Sequence, residues 1–170
     1  MAPIYNLKDQ RVDYEGLPRA VWREGDVVYK KDDLRLGPDW RKQMERILEV
    51  CPPPAWRGFI ENGYATKYID GPDLQGNLPF IMDGNAVPCT LPLEYRYQVL
   101  QIFMDMRWVG ERLGFTFGDM TCGNMMFDGN QVYLIDFEVI VSYPFSNDYQ
   151  SIWDNTISLV FGRDNELPRY

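Results

Sequence analysis

Three oxygen-bearing side chains fall near one another in the last third of the chain: Asp119, Asn124 and Asp136. Met125-Met126-Phe127 and Gln131-Val132-Tyr133-Leu134-Ile135 flank Asp128-Gly129-Asn130, the pattern of two strands joined by a tight turn. Antiparallel pairing brings the outer ends of such strands together. Asn124 and Asp136 therefore face one point within the ~5 Å reach of strand neighbours, and Asp119 can loop back over it. A carboxamide and two carboxylates form an all-oxygen set suited to magnesium, a hard cation that completes its octahedron with water and phosphate oxygens. Taken singly, the same residues have an ordinary alternative as turn and cap formers.

The chain contains no histidine. Ser-His-Asp and Cys-His catalysis are thereby excluded, and acid-base work falls to carboxylates, lysine or tyrosine. Cys51, Cys89 and Cys122 are widely spaced with no Cys-x-x-Cys pair, so they read as reduced thiols and not as a zinc site.

The elements that must position these groups can be read in order. Arg19-Ala20-Val21-Trp22-Arg23 and Val27-Val28-Tyr29-Lys30 flank Glu24-Gly25-Asp26, a hairpin pattern that puts Lys30 on an early strand. Gly37-Pro38-Asp39 offers a helix start with Asp39 as cap. Trp40, Met44, Ile47, Leu48 and Cys51 then follow helical spacing until Pro52-Pro53-Pro54, with Glu45 nearer the apolar stripe than Glu49. A third strand, Gly63 to Ile69, ends at the turn formers Asp70-Gly71-Pro72-Asp73. From there to Pro92 the chain is rich in Gly, Pro and Asn. Leu93 to Leu113 reads as one long helix whose apolar positions, Leu93, Leu100, Phe103, Met104 and Trp108, are expected in the core, with Gly114 as C-cap. A last helix is expected from about Ser146 to Phe161, its Trp153 and Phe161 covering the core or a partner surface.

At 170 residues, 45% hydrophobic and 25% charged, the chain suits one folded domain. No apolar run approaches the ~20 residues of a membrane helix, and Met1-Ala2-Pro3-Ile4-Tyr5-Asn6 lacks the marks of a secretion signal. A cytoplasmic protein is the expectation. The net charge of −8 argues against nucleic acid as partner. Residues 1–70 carry 12 basic and 12 acidic side chains and residues 71–170 carry 5 and 13, so a cationic substrate would be drawn to the second part; an acidic surface that merely aids solubility accounts for the same numbers.

Phe117-Gly118-Asp119-Met120-Thr121-Cys122-Gly123-Asn124-Met125-Met126 with Tyr133-Leu134-Ile135-Asp136-Phe137-Glu138 resembles the His-Gly-Asp-Leu…Asn and Ile-Asp-Phe motifs of kinase-like enzymes. The first segment is similar to the small atypical kinase of the tRNA threonylcarbamoyl complex and to RIO-type kinases. The Ile-Asp-Phe-Glu ending and Lys67-Tyr68-Ile69-Asp70-Gly71-Pro72-Asp73-Leu74 look more like choline kinases and aminoglycoside phosphotransferases. With Lys30 and Glu45, the order of parts is that of phosphoryl transfer by kinases. The resemblance implies an α+β, minimal protein-kinase-like fold: residues 1–170 as one domain, an antiparallel-sheet N-lobe over about 1–69 and a reduced, mostly helical C-lobe over 70–170.

By the same resemblance Asp119 is the catalytic carboxylate, Asn124 and Asp136 hold Mg²⁺, Lys30 contacts the α- and β-phosphates of ATP, and Glu45 fixes Lys30 through an ion pair. The backbone of Lys67 to Ile69 is the hinge for adenine, and Asp148 matches a structural aspartate on the helix after the site, although Ser146-Asn147-Asp148 serves equally as a helix cap. Gly16, in Tyr14-Glu15-Gly16-Leu17-Pro18, is the one candidate phosphate-covering glycine. Phe117 stands where the family usually has His, no Gly-x-Gly-x-x-Gly occurs, and only 34 residues follow Asp136. The implied activity is an ATP- and magnesium-dependent phosphotransferase acting on a hydroxyl acceptor, a protein Ser or Thr ahead of a small cationic molecule because little chain remains to build a pocket. The alternative is a kinase-like module without turnover that binds a partner protein through its reduced C-lobe.

Overall fold

The computed structural model describes residues 11–12, 18–32, 35–74 and 91–161, and the chain falls into two units, 1–68 and 69–170. In the first unit the strands are β1 (Arg11–Val12), β2 (Pro18–Glu24), β3 (Val27–Lys31), β4 (Trp56–Ile60) and β5 (Gly63–Lys67), with helix α1 (Pro38–Val50) between β3 and β4. They form one antiparallel sheet in the order β1-β2-β3-β5-β4. Gly25, with φ of 62°, makes the β2–β3 turn expected at that position.

Register fixes which residues share a face. Val21, Lys30 and Tyr64 are aligned across three strands, so Lys30 projects from the side of the sheet that carries Tyr64. Helix α1 packs on that side: the Trp40 ring lies 5.7 Å from Tyr64 and 5.9 Å from Phe59, and Trp56 stacks on Tyr64 at 5.6 Å. Trp40, Met44 and Ile47 are buried as the spacing predicts. Burial of each such side chain is worth about 1.5–3 kcal/mol. The cap of α1 differs from expectation. Gly37 is the N-cap and Pro38 opens the helix, which leaves Asp39 as an exposed acid in the first turn, favourable to the helix dipole but not a cap.

The second unit holds α2 (Arg96–Leu113), preceded by a short 3-10 turn over Leu93–Tyr95, then β6 (Phe115–Phe117), β7 (Met125–Phe127), β8 (Val132–Leu134), β9 (Ile140–Ser142) and α3 (Asn147–Phe161). Gly114 ends α2 in the left-handed conformation, φ 80°, with its N–H on the Gly110 carbonyl at 2.9 Å. The buried face of α2 is Val99, Phe103, Met106, Val109 and Gly110. Of the five apolar positions expected in the core, Phe103 alone is buried; Leu93, Met104 and Trp108 are exposed. The helix is apolar on two opposite sides, so periodicity could not tell which one packs. Trp153 of α3 is buried as expected, between Phe103 at 4.9 Å and Phe145 at 4.6 Å. Among the described residues no helix is long and apolar enough to cross a membrane.

Candidate functional site

Two nested antiparallel pairs build the site. The outer pair joins β6 to β9 with Phe117 opposite Ile140, and the Gly118 N–H extends it to the Val139 carbonyl at 2.9 Å. The inner pair is the β7–β8 hairpin, with Met125 opposite Leu134, extended by the Ile135 N–H on the Asn124 carbonyl at 3.0 Å. Between these two closures lie 119–123 on one arm and 136–138 on the other. Asp119 and Asp136 are thus confined to the same short internal loop, and Asn124 closes it.

The hairpin owes its register to its turn. The Asp128 carboxylate accepts from the Asn130 and Gln131 amides, both at 2.9 Å, and Gly129 takes φ of 98°. A further 3-10 turn over Cys122–Asn124 leads into β7. From it the Asn124 side-chain nitrogen donates to the Asp119 backbone carbonyl at 2.8 Å. A carbonyl only accepts, so this bond assigns the amide: nitrogen toward Asp119, oxygen Oδ1 turned the other way. On the other arm the Asp136 carboxylate accepts from the Glu138 N–H at 3.2 Å, which orients it beside the end of the hairpin. Asp119, Asn124 and Asp136 are all half-buried.

These donors suit a magnesium ion. Among the described residues no three His, Cys, Asp or Glu side chains gather into a cation cage. A carboxylate and a carboxamide in one short loop are the residue types that could share a magnesium ion with water and phosphate oxygens.

The scaffold behind the loop was not foreseen from the sequence. Phe117 and Phe137 pack on each other at 5.3 Å, both buried. A Cβ added at Gly118 would stand 2.8 Å from the Tyr149 ring and from Val141, so the backbone there passes too close to α3 and β9 for any larger residue. Gln98 of α2 clamps the hairpin, its Oε1 accepting from the Val132 N–H at 2.8 Å and its Nε2 donating to the Asn130 carbonyl at 3.1 Å. Residues 71–74 flank the other edge: Asp73 bridges to Met126, and Phe127 donates to the Pro72 carbonyl at 3.0 Å. A lone glutamine on a helix surface carries no local signal of such a role; the Gly-Pro-Asp of 71–73 does, as a chain end that cannot continue into a helix.

Other expected site residues stand as follows. Lys30 lies half-buried in β3, its Nζ 5.8 Å from the centre of the Tyr64 ring. Glu45 is exposed, and its carboxylate is held by Arg41 one turn earlier at 3.3 Å. This contact replaces the expected Lys30 ion pair, because Met44 occupies the inward position of α1 and the next residue is turned about 100° away from it. In the expected hinge the Lys67 and Tyr68 N–H groups donate to the Ala55 and Asp26 carbonyls, both at 2.6 Å, and Ile69 is buried. Asp148 is exposed in the first turn of α3, which fits the helix-terminus role and not a support of the loop; its neighbour Tyr149 makes that contact. Gly16 lies outside the described residues.

No protein-family model matches the chain, and no curated protein is similar to it in sequence. Among solved structures it is similar to WbdD with the kinase inhibitor LY294002, at 16% identity and a TM-score of 0.46, covering 89% of this chain and 36% of that one. It is also similar to monomeric WbdD, at 17% identity and 0.47, covering 84% and 37%. A choline/ethanolamine kinase family protein from Mesorhizobium loti gives 15% identity and 0.33, covering 89% and 69%. The chain thus spans little more than a third of the WbdD chains it matches. Likeness this distant carries no residue assignments, which come from the loop and hairpin themselves.

Proposed function

We propose that this chain is an ATP- and magnesium-dependent phosphotransferase of the protein-kinase-like class, acting on a hydroxyl acceptor. The observation that carries the reading is the bond from the Asn124 amide to the Asp119 carbonyl within the loop that also holds Asp136. The loop gathers in one short stretch of backbone the carboxamide and the two aspartates whose types a magnesium–phosphate site uses.

In this reading Asn124 Oδ1 and the Asp136 carboxylate hold the cation, and magnesium when bound neutralises charge on the phosphate oxygens. Asp119 orients the acceptor hydroxyl and takes its proton as the oxygen forms its bond to the γ-phosphorus and the bond to the β-phosphate breaks. Lys30 contacts the α- and β-phosphates. Positioning and charge neutralisation carry the barrier reduction, which is why no histidine is needed. The acidic balance of residues 71–170 suits a cationic acceptor, small or on a protein.

Thermal unfolding with ATP and magnesium tests the binding half: stabilisation of the wild type, lost in Asp136→Ala, is the expected result. No stabilisation at saturating nucleotide would sink the reading. Transfer of radiolabelled phosphate, absent in Asp119→Ala while nucleotide binding persists, tests the chemistry. The Arg41–Glu45 contact favours a second reading, a kinase-like module without turnover that binds a partner protein, since Glu45 is engaged by its own helix. That reading expects no transfer in the wild type or any variant.

A further inference from the structure

Helix α2 carries a second apolar stripe that stands exposed among the described residues. Tyr97, Met104 and Trp108 are 65%, 56% and 48% exposed. At about 100° per residue they fall, with Gln101, within roughly a 60° arc opposite the Val99–Phe103–Met106 face. Leu93, 68% exposed, continues the stripe at its N-terminal end. These four are most of the large apolar side chains exposed among the described residues, and soluble surfaces seldom gather them in one line.

The charges beside the stripe are distributed unequally. Glu94 stands at its N-terminal end, and Arg112, whose guanidinium lies 5.7 Å from the centre of the Trp108 ring, at its C-terminal end. Both lie on the same flank of the helix. An antiparallel copy of α2, related by a two-fold axis passing between residues 102 and 103, sets Tyr97 against Trp108 of the other molecule and Gln101 against Met104. The same register sets Glu94 beside Arg112 on the shared flank. The antiparallel register therefore pairs opposite charges on that flank.

From these observations we infer that α2 is the interface of a two-fold symmetric dimer of this chain. The aromatic side chains supply roughly 150–250 Å² each when fully covered. With about half of that already buried, the two rings together with Met104 and Leu93 offer a few hundred Å² per partner, less than the roughly 800 Å² of a standard interface, which implies a weak dimer that dissociates on dilution. The inference does not depend on the phosphotransferase reading.

Sedimentation velocity on the whole chain over a concentration series tests it. Wild type is expected to pass from monomer to dimer as concentration rises. Trp108→Glu and Met104→Glu, both at exposed positions and so compatible with folding, are expected to weaken association at least about tenfold. Glu94→Arg alone and Arg112→Glu alone should each weaken it, while the two together restore it. A monomer at every concentration, a dimer indifferent to Trp108→Glu, or a double swap no better than either single change would overturn the inference. Circular dichroism of each variant separates loss of association from loss of fold.

Discussion

The ring of Phe117 lies 5.3 Å from that of Phe137 at a tilt of 44°, and both side chains are buried. Phe117 closes the outer strand pair, and Phe137 directly follows Asp136, so the contact braces the arm that carries the carboxylate. Phe117→Ala is expected to cost about 3–5 kcal/mol in urea unfolding. Phe117→His tests the apolar character of the position. Burial disfavours imidazolium, so the folded pKa falls below the unfolded value of about 6.5, the unfolded chain binds more protons below that pH, and stability declines there. Unfolding at pH 5.5 and pH 8 should show a larger loss at the lower pH; equal losses would mean the ring is not enclosed.

Gly118 is expected to tolerate nothing larger. Gly118→Ala places a methyl carbon 2.8 Å from Tyr149 and Val141, an overpacking worth about 1–3 kcal/mol. Because the clash is shared, Gly118→Ala combined with Tyr149→Ala should lose less than the sum of the two single changes. Strict additivity in a double-mutant cycle would show that the ring does not limit the site.

Gln98 is the hairpin's tie to α2. Gln98→Met keeps the shape but strands the Val132 N–H, which should cost about 1–3 kcal/mol. Gln98→Glu keeps an acceptor for Val132 but sets a second acceptor against the Asn130 carbonyl, an exposed contact that water can relieve, so the smaller loss is expected of it. Thermal melts that rank the two variants the other way would remove the clamp.

Trp153 carries an indole N–H that is buried without a hydrogen-bond partner among the described residues. Trp153→Phe removes that burden together with some packing, and the net change should stay within about 1 kcal/mol, whereas Trp153→Ala should cost about 3–5 kcal/mol. A large loss in the phenylalanine variant would point to a partner for the nitrogen.

Local signals account for much of what could be read in advance. Asp128-Gly129-Asn130 determines the β7–β8 register and hence the meeting of Asn124 with the residue before Asp136; Gly114 and the proline run after Cys51 end their helices as expected. Pairing between distant segments was out of reach. β6 and β9 have three residues each, some 25 apart in sequence, and nothing local marks Phe117 as the partner of Ile140. The core face of α2 was misread because Met104 and Trp108 are as apolar as Met106 and Val109. Glu45 was misplaced although the spacing already put Met44 inward, because the residue next to an inward one is turned away toward Arg41.

The Leu74 N–H is shared between the Cys122 carbonyl at 3.2 Å and the Met125 carbonyl at 3.0 Å, the residues that bracket the 3-10 turn bearing Asn124. Its proton can reach solvent only when both carbonyls let go. Deuterium uptake at this single amide therefore times the release of residues 71–74 from the turn and the start of β7.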